Sequence, residues 1–146
     1  MSQKINRAGV IPYYIDESGA IKMLFMKPTN AKFGGDCFQI AKGKQEDGEQ
    51  PEDTAFREAN EELGLFKPNC DNIHDMGNFL GRTNIFIAEV QDLNMFGDPD
   101  SETGSTKWLT VDEFLEEGRM LHTPVVKAAA RCIQKQKDKA DKADNG

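Results

Sequence analysis

Three glutamates, Glu58, Glu61 and Glu62, stand at i, i+3 and i+4 in the stretch "REANEELGL". On a helix that spacing puts all three carboxylates on one face within a single turn. Like charges so close repel, and Arg57, with Glu61 as its i+4 neighbour, cannot neutralise three acids. Two readings suit the spacing. One is a solvated acidic face, the common fate of charge runs on helices. The other is a ligand set for hard divalent cations, which prefer oxygen; Mg²⁺ is usually held by a few carboxylates together with substrate phosphates and waters. Two such ions about 3.5–4 Å apart stabilise the attacking and leaving oxygens of a displacement at phosphorus. A calcium loop of the EF-hand type is excluded, because "EDGEQPED" lacks its alternating ligands.

The elements that must position these acids are legible. Pro51 suits the first turn of a helix over 51–63, Glu52 and Asp53 complement the positive end of its dipole, and Gly64 sits where a left-handed cap belongs. Ala55, Phe56, Ala59 and Leu63 recur at helical spacing and form its core face. Ahead of it, 8–15 and 21–26 are β-rich runs joined by "DESG", an antiparallel pair. "NAKFGGDC" is a Gly-containing loop, and 38–43 is a short strand ending at Gly43. Beyond the helix, a polar loop leads to "MGNFL" and "TNIFIAEV", a hairpin turning at Gly81 and Arg82. Residues 91–106 form a long acidic loop, of a length often reserved for function, and "KWLT" is a strand. Thr110 and Glu113 make a capping box for a helix that Gly118 ends, and Thr123 and Pro124 open a last helix carrying Val125, Val126, Ala129 and Ile133. Strands, helix, strands, helix, helix describe an α/β protein with a mixed sheet between helices.

The length of 146 residues fits one domain, over 1–134, followed by a charged tail, 135–146, read as a frayed helix passing into disorder. A net charge of −7 argues against gripping long nucleic acid or an anionic membrane. Cys37, Cys70 and Cys132 are odd in number and form no CxxC pair, as in a reduced compartment. With no apolar leader and no membrane-length run, the expected location is cytoplasmic. His74 and His122 have no ligand spacing and are assigned structural or solvent roles. Oligomeric state is not legible, and a homodimer is compatible with the sequence.

The wider pattern runs Gly43, five residues, Glu49, seven residues, then Arg57-Glu58-Ala59-Asn60-Glu61-Glu62-Leu63-Gly64-Leu65. It resembles the Nudix box, G-x₅-E-x₇-R-E-U-x-E-E-x-G-U with U apolar, at every fixed residue. The flanking "RAGVIPYYI", "FQIAKGK" and "KWLTVDEF" are similar to the segments that surround the box in that family. The resemblance implies an α/β/α Nudix sandwich. It implies a Mg²⁺- or Mn²⁺-dependent hydrolase that cuts the pyrophosphate of a nucleoside diphosphate linked to another moiety. Carried over residue by residue, Glu58, Glu61 and Glu62 match metal-binding glutamates, and the Gly43 carbonyl matches a further ligand. Arg57 matches the arginine that orients them, and Glu49 the acid that supports it. Glu102 resembles a late-loop glutamate that completes the site as general base, with Asp98 and Asp100 competing for that role.

Lys42 and Lys44, flanking Gly43, are candidates for substrate charge balance, the alternative being exposed surface lysines. Phe33, in its Gly-rich loop, is the choice for stacking on a nucleobase. "AKGKQEDGE" resembles the entry to the box in dinucleoside polyphosphate hydrolases, with Ala41 in place of their proline. The expected substrate is a small adenine-containing nucleotide such as ADP-ribose, FAD or a diadenosine polyphosphate. The competing readings are a nucleotide triphosphate or 8-oxo-dGTP pyrophosphatase, and a Nudix-fold sensor that binds without cleaving.

Overall fold

The computed structural model describes residues 6–30 and 36–145, with side chains up to residue 142. Strands β1 (Arg7–Ile15), β2 (Ile21–Pro28) and β3 (Lys42–Lys44) precede helix α1 (Pro51–Leu63). Then come β4 (Cys70–Phe79), β5 (Thr83–Val90), β6 (Thr103–Leu109), α2 (Val111–Glu117) and α3 (Thr123–Asn145). The sheet runs β4-β5-β1-β2-β6, with β3 attached to β1. Only β1 and β5 are paired in parallel, so the sheet is mixed as expected. On its side away from β5, β1 is shared by two partners: Tyr13–Ile15 pair with β2 and Arg7–Gly9 with β3.

Both faces of the sheet are covered, and the two-residue period of the strands sorts their side chains between the layers. Ala8, Val10, Leu24, Met26, Phe86, Ala88 and Val90 pack on one face with Ala55, Phe56, Ala59 and Leu63 of α1. The intervening residues Ile11, Tyr13, Met23, Phe25, Ile85 and Ile87 pack on the other with Phe114 of α2 and Val125, Val126, Ala129 and Ile133 of α3. This is the α/β/α sandwich. The α1 and α3 residues that periodicity assigns to the core are buried, together with Thr54; in α2 Phe114 is buried, whereas Leu115, expected on its apolar side with Val111, is exposed.

Four boundaries differ from the sequence reading. β4 begins at Cys70 inside the polar loop, and β6 begins at Thr103 inside the long acidic one. Both are sheet-edge strands with largely exposed side chains, so neither shows the apolar alternation that marks a half-buried strand. Over 38–41 the chain makes only isolated bridges, Met26 with Gln39 and Phe38 with Gly118, before the ladder of β3 starts at Lys42. Helical structure also runs on through 135–145, where the sequence suggests a frayed helix passing into disorder. Its polar residues make i,i+4 contacts there, such as Gln134 Nε2 to Asp138 Oδ1 at 3.0 Å.

α2 opens on the expected capping box, with Thr110 Oγ1 accepting from Glu113 N–H at 3.2 Å and Glu113 Oε1 accepting from Thr110 N–H at 2.9 Å. Among the described residues no helix is long and apolar enough to cross a membrane.

Candidate active site

α1 is held at both ends. Asp53 Oδ2 accepts the Gln50 N–H at 3.1 Å at its start. At its end Gly64 adopts φ +74°, and the N–H groups of Gly64 and Leu65 return to the carbonyls of Asn60 and Ala59. The acidic loop 91–102 docks on the same end. Gly97 N–H bonds Gly64 O at 2.8 Å, Asp100 N–H bonds Glu61 O at 2.7 Å, and Thr103 Oγ1 bonds Glu62 O at 2.8 Å. The carbonyls that a helix terminus leaves open are thereby satisfied by the loop.

Arg57 organises the acids ahead of the helix and on it. Its Nε donates to Glu49 Oε2 at 2.8 Å and its Nη2 to Glu49 Oε1 at 3.1 Å, a two-point fork. Nη1 reaches Glu58 Oε1 at 2.9 Å and Glu61 Oε1 at 3.5 Å, and Nη2 also meets the Lys44 carbonyl at 3.0 Å. One guanidinium thus ties the loop after β3 to the face of α1. The Arg57 fork, followed by the Glu46 N–H, holds the Glu49 carboxyl down at about 2.

Glu58 and Glu62 stand against each other beside β3. Burial, above all, pushes both carboxyls up, and the neighbouring Glu58 charge raises Glu62 further. Glu62 Oε2 is buried with no hydrogen-bond partner. Gly43 faces Glu58 so closely that a Cβ there would lie 2.2 Å from the Glu58 carboxyl carbon. Two acids driven into a partly buried corner, with one oxygen orphaned, form a place short of positive charge. The donors are carboxylate and backbone oxygens, the set that a hard divalent cation takes. The residues therefore fit Mg²⁺ or Mn²⁺. Among the described residues no three His, Cys, Asp or Glu side chains already stand together as a finished coordination sphere. Glu61 instead leans to Arg57 and solvent, its side chain 46% exposed.

The remaining expected residues divide. Lys42 is half-buried beside the acids, and burial, then Arg7 and Arg119, lower its pKa against the pull of Glu62 and Glu58. Lys44 is exposed, and its backbone carbonyl, not its ammonium, enters the Arg57 network. In the late loop it is Asp100 whose charge bears on Glu62. Glu102 is exposed, bonded through its N–H to Asp100 Oδ1 at 3.0 Å and through its carbonyl to Thr29 N–H at 2.9 Å. Phe33 lies outside the described residues. His122 is fully buried, with Nδ1 accepting the Ile40 N–H at 3.2 Å, while His74 is exposed on β4.

Arg119, at the turn before His122, and Thr103, at the start of β6, are the neighbours of the site that sequence reasoning did not find. Neither falls in a motif. Only the pairing of distant segments brings them there.

A family model described as the NUDIX domain matches residues 5–132. Among curated proteins none matches the sequence. Solved structures do match in fold. An Ap4A hydrolase of C. elegans, solved as a binary complex, superposes with a TM-score of 0.74 at 16% identity over 90% of this chain and 99% of that one. RenU, a Nudix hydrolase of M. smegmatis, gives 0.70 at 17% identity over 88% and 86%. The NUDIX domain of Shewanella oneidensis NrtR, complexed with ADP ribose, gives 0.65 at 11% identity over 91% and 90%. With its full complement of box residues gathered at one end of α1 and a family match spanning most of its length, the chain belongs to the NUDIX domain family, among its pyrophosphohydrolases.

Proposed function

We propose that the protein is a Mg²⁺- or Mn²⁺-dependent hydrolase of an adenine-containing nucleoside diphosphate derivative, such as ADP-ribose, FAD or a diadenosine polyphosphate. Water attacks one phosphorus of the pyrophosphate, the bridging P–O bond breaks, and two phosphate esters leave with release of a proton. The observation that carries this reading is the corner where Gly43 closes on Glu58 and Glu62 keeps a buried oxygen without a partner.

Glu58 and Glu62, with the Gly43 carbonyl, would hold the cation, and Glu61 would complete the set from the solvent side. When bound, the cation withdraws charge from the phosphate and makes bound water more acidic. Arg57 fixes the orientation of Glu58 and Glu61 from the rigid Glu49 fork, so the carboxylates need little reorganisation as charge develops. The proton of the attacking water goes to a carboxylate within hydrogen-bond reach in the substrate complex, either Glu61 or the late-loop Glu102. Lys42 supplies positive charge along the phosphate path, and Lys44 and Phe33 remain candidates for outer substrate contacts.

Adenine-containing substrates are favoured by the "AKGKQEDGE" resemblance, and by the similarity in fold to an Ap4A hydrolase and to a NUDIX domain that binds ADP ribose. The deciding experiment is a panel of ADP-ribose, FAD, NADH, diadenosine polyphosphates, NTPs and 8-oxo-dGTP with Mg²⁺ or Mn²⁺ and product analysis. Glu58→Gln and Glu62→Gln should abolish turnover on the best substrate while leaving the fold intact. Full turnover in either variant would sink the ligand assignment. Tight binding across the panel with no product would identify a sensor instead.

A further inference from the structure

Among the buried residues of α1, Thr54 alone carries a polar side chain, and it is fully enclosed. A hydroxyl taken out of water is costly unless it finds a partner. Two acceptors stand within reach, Glu49 Oε1 at 2.9 Å and the Gln50 carbonyl at 3.4 Å. A threonine has one proton to donate, and the nearer, charged acceptor makes the stronger bond. The hydroxyl is therefore directed at Glu49.

Glu49 Oε1 is the meeting point of three donors: Thr54 Oγ1, the Glu46 N–H at 2.9 Å and Arg57 Nη2 at 3.1 Å. Its Oε2 takes Arg57 Nε at 2.8 Å, and Arg57 Nη1 goes on to Glu58 Oε1 at 2.9 Å and Glu61 Oε1 at 3.5 Å. Every link from Thr54 to these two carboxylates is thus a direct contact. The links differ in stiffness. Arg57 is long and its side chain is 27% exposed, whereas Thr54 is short, β-branched and packed in the core. A guanidinium–carboxylate pair on its own can swing as a unit. Pinned at Glu49 Oε1 by a hydroxyl one turn before Glu58 on the same helix, the pair keeps one angle to α1.

We propose that Thr54 is a positioning residue for the hydrolysis: its hydroxyl pins Glu49 to the body of α1 and thereby sets, through Arg57, how Glu58 and Glu61 hold their carboxylates. The inference rests on the metal-dependent hydrolase reading and adds to it a residue that acts only through others. It also accounts for a buried hydroxyl at one of the positions that the Nudix box leaves unspecified.

Mn²⁺ binding, read by paramagnetic resonance, tests it on wild type, Thr54→Val, Thr54→Ser, Glu49→Ala, the double variant Glu49→Ala with Thr54→Val, and Glu62→Gln. Valine keeps the shape and removes the hydroxyl, whereas serine keeps the hydroxyl and empties the space of a methyl in the core. Thr54→Val should weaken Mn²⁺ on the order of threefold to tenfold, at or below the lower end of the range for groups that touch the ligands directly. Thr54→Ser should bind Mn²⁺ like wild type, although its melt falls with the lost packing. In the Glu49→Ala background the valine exchange should cost nothing more, because the hydroxyl acts through that carboxylate. If Thr54→Val does not fold, Thr54→Ala, which also lacks the hydroxyl, carries the test. Wild-type affinity in the variant without the hydroxyl, an equal loss in Thr54→Ser, or the same loss again in the Glu49→Ala background overturns the proposal. Retained Mn²⁺ affinity in Glu62→Gln would overturn the metal corner itself and the proposal with it, a failure told apart from the others because it appears in a protein whose Thr54 is intact.

Discussion

Replacing Gly43 by alanine would place a methyl carbon 2.2 Å from the Glu58 carboxyl carbon. Non-bonded carbons settle at about 3.5–4.0 Å, so the carboxyl has to retreat by roughly 1.3 Å or more. It has little room to do so, because Arg57 Nη1 holds Glu58 Oε1 at 2.9 Å and Glu62 stands against its other side. The backbone at Gly43 is not left-handed and its ladder to β1 is made by main-chain groups, so alanine is tolerated by the fold itself. The cost falls on the geometry of the site. A misplacement of about 1 Å costs on the order of a hundredfold in rate, so kcat/KM for the best substrate should fall roughly hundredfold in Gly43→Ala. The assay pairs that rate with Mn²⁺ affinity and a thermal melt, with the melt expected to stay close to wild type. A Gly43→Ala protein that binds Mn²⁺ and turns over like wild type would refute the claim that the close approach of loop and helix is what shapes the metal corner.

Arg57→Lys keeps a positive charge but loses the fork that spans Glu49, Glu58 and the Lys44 carbonyl. Loss of such a supporting residue typically costs about 10–100-fold in metal affinity or activity, and Mn²⁺ titration of the variant should show it. At Gly64, φ is +74° and a Cβ would lie 2.0 Å from Gly97 O. Gly64→Ala should therefore destabilise the fold by about 2 kcal/mol or more, read as a lower urea midpoint. His122 is buried, with Lys42 and Arg119 as its charged neighbours, and burial, then those cations, lower its pKa to about 3. Its folded pKa lies below the unfolded value, so its contribution is whole above pH ~6.5 and lost as pH falls toward 3, at about 1.4 kcal/mol per unit. Urea unfolding of His122→Gln across that window should lack this slope, and identical pH profiles for the two proteins would rule it out.

What was legible in the chain follows from how much of it is buried. α1 reads clearly because Ala55, Phe56, Ala59 and Leu63 face a core and because Pro51 and Gly64 punctuate its ends. β1, β2 and β5 read clearly because both of their faces are covered. β4 and β6 are edge strands whose outer positions face water, so nothing in composition separates their first halves from loop. The site divides along the same line. The acids of α1 and their arginine lie within one short stretch at fixed spacing, and the structure shows Arg57 joining Glu49, Glu58 and Glu61. Asp100 and Arg119 come from segments some forty and sixty residues further along, brought in by main-chain hydrogen bonds that no side-chain pattern encodes. Charge alone could not single out Asp100 from Asp98 and Glu102. The docking of the main chain at 100 on Glu61 O, which any residue but proline could make, is what brings the Asp100 charge to bear on Glu62.

The attachment of the 91–102 loop to the end of α1 bears on how such an enzyme changes over evolutionary time. Two of its three tethers there are peptide N–H groups, those of Gly97 and Asp100, and the third is the hydroxyl of Thr103. A peptide N–H is common to every residue but proline, so the tether at position 100 survives almost any exchange of the side chain above it. Position 97 is tighter, since a Cβ there would come within 3.0 Å of the Phe66 ring. The side chains at 98, 100 and 102 can therefore be exchanged while the loop stays seated on the helix that carries Glu58, Glu61 and Glu62. The acid-bearing helix and the side chains of the loop that borders it are separable units of inheritance, so the loop can be rewritten, its candidate proton acceptor included, without dismantling the helix.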